Sequence, residues 1–109
     1  MPRFILEAAA SPGVLKSLID NPRDRVPELS PVYQEMGITF EQRYYVTGEN
    51  AFIDIVSADS GDAVQALALT ALASGAITSV TCRQITTSAE TVPILQRAKE
   101  SSFRPPSGS

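Results

Sequence analysis

Residues 38–57 contain two neighbouring stretches with a period of two, and this pattern constrains the fold more than any other. In Ile38–Thr47, apolar side chains recur at every second position, and only Gln42 falls outside the alternation. Ala51–Ser57 is apolar on both faces apart from Asp54, which is typical of a central strand. Because a period of two assigns alternate residues to opposite faces of a strand, the sequence predicts an antiparallel hairpin.

The connection between the two strands predicts their register. Gly48-Glu49 favours a two-residue type II′ loop, whose first position requires a positive φ angle. That loop places Arg43 opposite Asp54 and Tyr45 opposite Phe52, and opposite charges in such a pair contribute roughly 0.2–1 kcal/mol. A three-residue loop would exchange the two faces of one strand. We therefore expect the Arg43–Asp54 register.

The remaining sequence signals predict helices and two further strands around this hairpin. Capping residues, prolines and apolar periodicity mark these elements: a strand at Arg3–Ala10, a helix after Ser11, a restart at Asn21-Pro22 that ends at Gly37, a helix from Asp59-Ser60 to Gly75, a strand at Ile77–Thr86, and a helix from Thr87 to about Lys99. Pro27 and Pro31 predict a kinked or partly 3₁₀ segment in the second helix. The order predicts an α+β, ferredoxin-like βαββαβ fold with a four-stranded antiparallel sheet of order 4-1-3-2, helices on one face, and a short C-terminal helix.

Length and composition exclude several classes of function. A chain of 109 residues corresponds to one domain, which we place at residues 1–100, followed by a loose tail at 101–109. Nine basic against twelve acidic residues argue against a nucleic-acid surface. No apolar run is long enough for a membrane span and no leader is visible, so we expect a cytoplasmic protein.

The absence of histidine is the most restrictive feature of the composition. It excludes Ser-His-Asp triads, Cys-His pairs and histidine metal sites, and the single cysteine excludes an internal disulfide. No phosphate-binding glycine loop or metal-spaced cluster is present either. The sequence therefore predicts a protein that works without a metal or a cofactor.

The sheet is expected to leave one face open, and that face is expected to be apolar. We place Ile5, Phe52 and Val56 on it, and an apolar face of this kind is rarely left in water. The sequence therefore predicts a homo-oligomer that associates through the sheet face.

Five polar residues are candidates for a site on the same open face: Glu7, Arg43, Tyr45, Asp54 and Arg83. In one interpretation they form a pocket with Phe52, in which Asp54 or Glu7 acts as a base, Arg43 or Arg83 stabilises an anion, and Tyr45 donates a hydrogen bond. In the other they form an interfacial salt-bridge network that fixes the register of the oligomer.

Several short segments resemble the GYD-domain family over roughly residues 2–98. They are Leu15-Lys16, Asn21–Arg25, Tyr44–Phe52, Thr81-Cys82-Arg83 and Ile85-Thr86. The resemblance implies a small bacterial or archaeal ferredoxin-like protein, related in fold to the dimeric α/β-barrel group and without an established common activity. The family signature reads Gly-Glu-Tyr-Asp, whereas here Gly48-Glu49 is followed by Asn50-Ala51.

Three functions follow as hypotheses. The first is a small-molecule-binding protein without metal or cofactor. The second, implied by the wider barrel group, is a cofactor-independent isomerase, cyclase or monooxygenase. The third is a purely structural assembly subunit. A cavity of about 300 Å³ or more beside Asp54 would favour the first two over the third.

Overall fold

The computed structural model describes residues 1–106, and its elements follow the expected order. They are β1 (Arg3–Ala10), α1 (Pro12–Asp20), α2 (Val26–Glu35), β2 (Ile38–Tyr45), β3 (Phe52–Ala58), α3 (Gly61–Ala73), β4 (Ile77–Ile85) and α4 (Ser88–Lys99). The strands form one antiparallel sheet in the order β2-β3-β1-β4. This confirms the ferredoxin-like α+β fold. Of the expected tail, residues 101–106 contain no helix or strand, and residues 107–109 lie outside the described part.

Two of the predicted helix starts are confirmed by their hydrogen bonds. The Ser11 hydroxyl accepts a hydrogen bond from the Val14 amide at 3.2 Å and thereby caps α1. At the start of α4, the Thr87 hydroxyl accepts from the Glu90 amide at 3.0 Å, while the Glu90 carboxylate accepts from the Thr87 amide at 2.8 Å. This reciprocal pair is a capping box, which satisfies two amides at the helix N-terminus.

The predicted start of α2 at Asn21-Pro22 is wrong. Asn21 instead ends α1, and α2 begins at Val26, whose amide donates to the Asp24 carboxylate at 2.9 Å. The expected 3₁₀ segment is also absent from α2, which is α-helical from end to end. Pro27 lies in the first turn, where amides have no intrahelical acceptor, and Pro31 removes only the hydrogen bond of its own nitrogen.

The hairpin has the predicted register but not the predicted loop. Arg43 pairs with Asp54 and Tyr45 with Phe52, as the charge pairing indicated. Beyond the ends of the two strands, the Val46 amide donates to the Ala51 carbonyl at 3.0 Å, and this last pair encloses four residues, 47–50.

Gly48 occupies the third position of a turn inside this connection. The Glu49 amide donates to the Val46 carbonyl at 3.3 Å, and Gly48 has a φ angle of 81°. A positive φ here, without one at the preceding Thr47, is the pattern of a type II turn. The prediction that Gly48 needs a positive φ is therefore confirmed, but the type II′ assignment is wrong.

A β-bulge in β2 explains why Gln42 interrupts the alternation. Phe40 pairs with Val56 and Gln42 pairs with Ile55, so Glu41 is one extra residue in β2. An extra residue shifts the alternation by one position. The residues on the helix-covered face are therefore even-numbered before the bulge and odd-numbered after it. The bulge keeps Phe40 and Arg43 on the same face of the sheet.

The hydrophobic core lies between one face of the sheet and α2 and α3. Its buried members are Phe4, Leu6, Tyr33, Ile38, Phe40, Val56, Ala58, Val64 and Leu67. A second cluster combines Ala8, Ala10 and Phe52, against which Val14 and Leu15 of α1 pack. Phe52 and Val56 are therefore under the helices, and their predicted position on the open face is wrong.

The open face is formed by the other set of strand residues. It contains Arg3, Ile5, Glu7 and Ala9 of β1, Ile53, Ile55 and Ser57 of β3, and the β4 residues opposite them, Ser79, Thr81, Arg83 and Ile85. Both faces of β3 are apolar, so hydrophobicity alone did not indicate which face the helices cover. Within the described chain, no helix is long and apolar enough to cross a membrane.

Candidate functional site

A buried ion pair connects the two strands of the hairpin on the face covered by helices. The Arg43 Nε and Nη2 atoms donate to the two carboxylate oxygens of Asp54 at 2.7 and 2.9 Å. The side chains are 9% and 3% exposed, respectively. The contact is bidentate, the arrangement in which guanidinium and carboxylate geometries match. Both carboxylate oxygens are therefore engaged by Arg43.

Tyr33 of α2 closes the same site from the helix side. Its hydroxyl donates to Asp54 Oδ2 at 3.3 Å, and Tyr33 is itself buried. Burial and the neighbouring Asp54 carboxylate both oppose ionisation of the phenol, which raises the pKa of Tyr33 to about 12. Tyr33 is therefore a neutral donor to Asp54 at any physiological pH.

Electrostatics keep Arg43 charged despite its burial. Desolvation alone would lower the pKa of Arg43, but the hydrogen bonds and negative charge of Asp54 outweigh it, so the pKa lies above its ordinary value. An unpaired charge at this depth would be costly, whereas the paired charges compensate each other. The site thus presents a pair with no net charge.

Aromatic rings enclose the guanidinium group. The Arg43 Cζ atom lies 4.1 Å from the centre of the Phe52 ring and 5.4 Å from that of Phe40. Tyr33 stacks on Phe40 with a centroid distance of 4.5 Å and an interplanar angle of 13°. These contacts fix the orientation of Arg43 and add cation–π attraction.

A cavity of about 290 Å³ extends from this ion pair between the sheet and helices α1, α2 and α3. Most of its lining is aliphatic, and the residues that line it include Leu6, Ala8, Val14, Leu18, Leu29, Met36, Ala68 and Val80. Arg43, Asp54 and Tyr33 form a polar end. Exposed residues such as Val32 and Tyr45 also line it, so the cavity reaches the protein surface.

Asn50 holds one wall of the cavity in place. Its side-chain amide donates to the Ala10 carbonyl at 2.9 Å, and its carbonyl oxygen accepts from the Ala10 amide at 3.3 Å. The pair of bonds fastens the hairpin loop to the end of β1, next to the start of α1. The Asn50 side chain therefore holds the hairpin loop against β1.

The structure divides the predicted site residues between two faces of the sheet. Arg43, Tyr45, Phe52 and Asp54 lie together on the helix-covered face and line the cavity. Their predicted position on the open face is wrong, because the helices cover this side of β3. Glu7 alone of the candidate acids remains on the open face.

Glu7 and Arg83 lie on the opposite side of the sheet from Asp54. Arg83 pairs with Ile5 and Glu7 pairs with Thr81 in the β1–β4 ladder, so both belong to the open face. No ion pair joins Glu7 to Arg83 within the described residues. The predicted five-residue constellation is therefore not a single site.

Sequence reasoning missed Tyr33, Phe40 and Asn50 as parts of the site. The available signal for Tyr33 was its phenol hydroxyl on an apolar helix face, since a buried tyrosine hydroxyl usually has a hydrogen-bond partner. Phe40 and Asn50 gave no comparable signal. Over residues 1–106, no group of three or more acidic or cysteine side chains is placed to hold a metal ion.

Comparisons with known proteins extend the description of the fold. No protein-family model matches the sequence, and no curated protein matches it. Among solved structures, the crystal structure of protein Atu4242 from Agrobacterium tumefaciens is similar, with a TM-score of 0.50 and 13% sequence identity over 81% of this chain and 94% of that chain. At this identity the similarity shows a common fold only.

Proposed function

We propose that this protein binds an uncharged, mainly apolar small molecule in the cavity between the sheet and helices α1–α3. The observation that carries the proposal is the aliphatic cavity of about 290 Å³ that ends at the buried Arg43–Asp54 pair. Ligand sites are typically concave and apolar, with a few polar groups that orient the ligand. The volume is close to the roughly 300 Å³ at which such sites begin.

The volume limits the size of the ligand. A cavity of about 150 Å³ accommodates benzene, so 290 Å³ corresponds to a molecule with roughly twice as many non-hydrogen atoms. A bicyclic aromatic compound has this size.

The charge at the polar end favours a neutral ligand. Arg43 and Asp54 neutralise each other, and Arg25, the other cation of the lining, is paired with Glu28 at 2.9 Å. A ligand carboxylate would compete with Asp54 for the Arg43 guanidinium group while approaching a second negative charge. A hydroxyl or carbonyl group instead adds a hydrogen bond without displacing the pair. We therefore infer a preference for neutral over anionic ligands of equal size.

The contacts of Asp54 support binding over proton transfer. A general base must reach the proton that it removes, and both oxygens of Asp54 are engaged by Arg43, one of them also by Tyr33. A cofactor-independent isomerase, cyclase or monooxygenase would need one of these oxygens to be released. A purely structural subunit has no use for an apolar cavity of this size.

Kinship with the GYD-domain family is part of the proposal. It is supported by the segments around Gly48-Glu49 and Thr81–Arg83 and by the ferredoxin-like order of the elements. The proposed binding function does not depend on it.

Native mass spectrometry of the freshly purified protein tests whether a small molecule co-purifies. Isothermal titration with β-naphthol tests the size of the ligand, and titration with β-naphthamide and β-naphthoate, which are nearly isosteric, tests the charge preference. We expect β-naphthol and β-naphthamide to bind and β-naphthoate to bind at least ~10-fold more weakly than the amide. Equal affinity for the amide and the carboxylate would contradict the neutral preference, and binding of none of the three, with no co-purified ligand, would contradict the proposed function.

A matched pair of variants on α3 tests the location. Ala68 is buried and lines the cavity, whereas Ala66 is exposed on the same helix. Ala68→Leu fills part of the cavity, so it is expected to abolish β-naphthol binding without loss of stability. Ala66→Leu is expected to leave binding unchanged. Retention of full affinity in Ala68→Leu would place the binding site elsewhere.

A further inference from the structure

Helix α4 has apolar side chains but no surface of its own chain to pack against. Val92, Ile94 and Leu95 are 60%, 53% and 62% exposed, and no residue of α4 is buried. The Cα radius of gyration is 17.9 Å, whereas a compact chain of this length is expected at about 13 Å. The longest dimension is 60 Å against 32 and 25 Å. The helix therefore projects away from the domain.

The open face is a second apolar surface without a partner. At its centre lie Ile5, Ile53 and Ile55 of the two middle strands, with Ile85 beside them. Helices α1, α2 and α3 pack on the other face, so each of these isoleucines remains partly exposed. Polar residues surround the isoleucines, which is the usual arrangement of an interface with an apolar centre and a polar rim.

The two surfaces carry charges that can pair. On the open face, Glu7 lies beside Ile5 and Ile53 and has no ion pair within residues 1–106, while Arg83 lies opposite Ile5 on β4. On α4, the spacing of Val92, Leu95 and Lys99 places these three side chains on one face of the helix. Lys99 likewise has no ion pair within the described chain.

We propose that α4 of one protomer packs on the open face of a second copy, and that α4 of the second copy packs on the open face of the first. Val92 and Leu95 then cover the isoleucines, and Lys99 pairs with Glu7 of the partner subunit. A reciprocal exchange forms the same contact twice around a two-fold axis. The exchange therefore doubles the buried area, for which ~1,600 Å² is the standard size of a stable interface.

The start of α4 favours a second copy over the chain's own open face. Only two residues separate β4 from α4. The capping box fixes Thr87 as the start of the helix, and a 2.8 Å hydrogen bond joins the Thr86 and Thr91 hydroxyls across the junction with β4. A fold-back over the same face would turn the chain at this junction and break the Thr86–Thr91 bond. The first turn is near that face, since Glu90 is close enough to Arg3 for their charges to interact.

Light scattering of the full chain over a dilution series tests the association. We expect a mass of twice 11.7 kDa at micromolar concentration. Leu95→Asp is expected to raise the dissociation constant at least ~30-fold, the change expected for a residue at the centre of an interface. Leu69→Asp is the matched control, because Leu69 is a 54% exposed leucine on α3, away from both surfaces. Circular dichroism checks that each variant is folded.

A monomer at all concentrations would overturn the proposal. A dimer that Leu95→Asp and Leu69→Asp leave equally intact would overturn it too, since it would indicate association that does not use α4.

A charge exchange tests the specific pairing. Glu7→Lys and Lys99→Glu are each expected to weaken the dimer about 10-fold, because each brings like charges together in the interface. The double variant restores opposite charges and is expected to recover most of the affinity. Weakening that simply adds up in the double variant would show that Glu7 and Lys99 do not meet.

Discussion

Arg43 and Asp54 face each other across the β2–β3 ladder and hold each other's charge in the interior of the protein. The pair lies at the polar end of the cavity, with Phe52 against the guanidinium group and Tyr33 against the carboxylate. The same two side chains therefore fix the hairpin register and shape the cavity. Because of this double role, a substitution at either residue can change both the stability of the fold and ligand binding. Only a substitution chosen to affect one of these properties separates them.

Asp54→Asn is expected to lower the free energy of unfolding by about 3–5 kcal/mol. The amide is nearly isosteric but leaves the Arg43 charge buried without a counter-charge, which is the costly way to break an interior pair. The measurement is urea denaturation followed by circular dichroism at neutral pH.

Glu41→Gln provides the matched control, because it breaks an exposed ion pair. Glu41 contacts Arg3 at 3.1 Å, and the Arg3 and Glu41 side chains are 41% and 33% exposed. Pairs of this kind contribute less than about 1 kcal/mol. If Asp54→Asn destabilises no more than Glu41→Gln, the carboxylate of Asp54 is solvated and the described burial of the pair is wrong.

Tyr33 predicts a loss of stability at alkaline pH. The pKa of Tyr33 is about 12 in the folded protein against an ordinary value of 10.0, so the folded state retains the proton more strongly than the unfolded state. Stability from this residue is complete below pH 10, falls between pH 10 and 12, and amounts to a loss on the order of 2 kcal/mol. Denaturation at a series of pH values measures it.

Tyr33→Phe isolates this contribution from the other groups that ionise at high pH. The variant is expected to lose stability more gradually between pH 10 and 12 and, in a spectrophotometric titration, to lose the phenol step near pH 12. Identical alkaline profiles for the two proteins would mean that Tyr33 is not protected from ionisation.

The strand register was predictable because it depends on local chemistry. The period of two in β2 and the opposite charges of Arg43 and Asp54 require only the sequence of one hairpin. The bulge at Glu41 also left a sequence signal, since Gln42 breaks the alternation. Capping boxes such as Thr87–Glu90 are equally local.

The face of the sheet on which the site lies was not predictable in this way. Either side of β3 could be buried, judged by its residues. One side carries Phe52, Asp54 and Val56, and the other carries Ile53 and Ile55. Which side the helices cover depends on long-range packing of α2 and α3, and Asp54 is buried only because Arg43 and Tyr33 meet it there. The Arg43–Asp54 pairing itself was predictable, but an ion pair suits an interface between subunits as well as an interior, so its charges did not indicate the face.

Asn50→Ala is expected to cost about 1–3 kcal/mol in the free energy of unfolding. Without the Asn50 side chain, the backbone N–H and the carbonyl group of Ala10 both lose their hydrogen-bond partner in a partly buried position. Thermal denaturation measures the loss.

Asn50→Asp tests whether Asn50 stabilises the protein through its hydrogen bonds or through the size of its side chain. The carboxylate still accepts from the Ala10 amide but repels its carbonyl oxygen, so the variant is expected to be destabilised despite its equal size. A wild-type melting temperature in both variants would show that Asn50 does not hold the loop to β1.

Gly48→Ala is expected to lower the free energy of unfolding by about 1–2 kcal/mol, for conformational reasons alone. Gly48 has a φ angle of 81°, and no atom lies within 4 Å of the position of an added Cβ, so the cost comes from the backbone and not from a clash. Gly48→Asn is expected to recover part of the loss, since asparagine tolerates this conformation.

Gly13→Ala is the control, because Gly13 lies in α1 without a positive φ, and the nearest atom to its added Cβ is the Ser11 hydroxyl oxygen at 4.0 Å. There the same substitution is expected to stabilise the protein by about 0.4–1 kcal/mol, since alanine has less conformational freedom in the unfolded chain. Urea denaturation of the three variants should therefore give opposite signs for the two alanine substitutions. A Gly48→Ala variant at least as stable as the wild type would contradict the type II turn at Gly48.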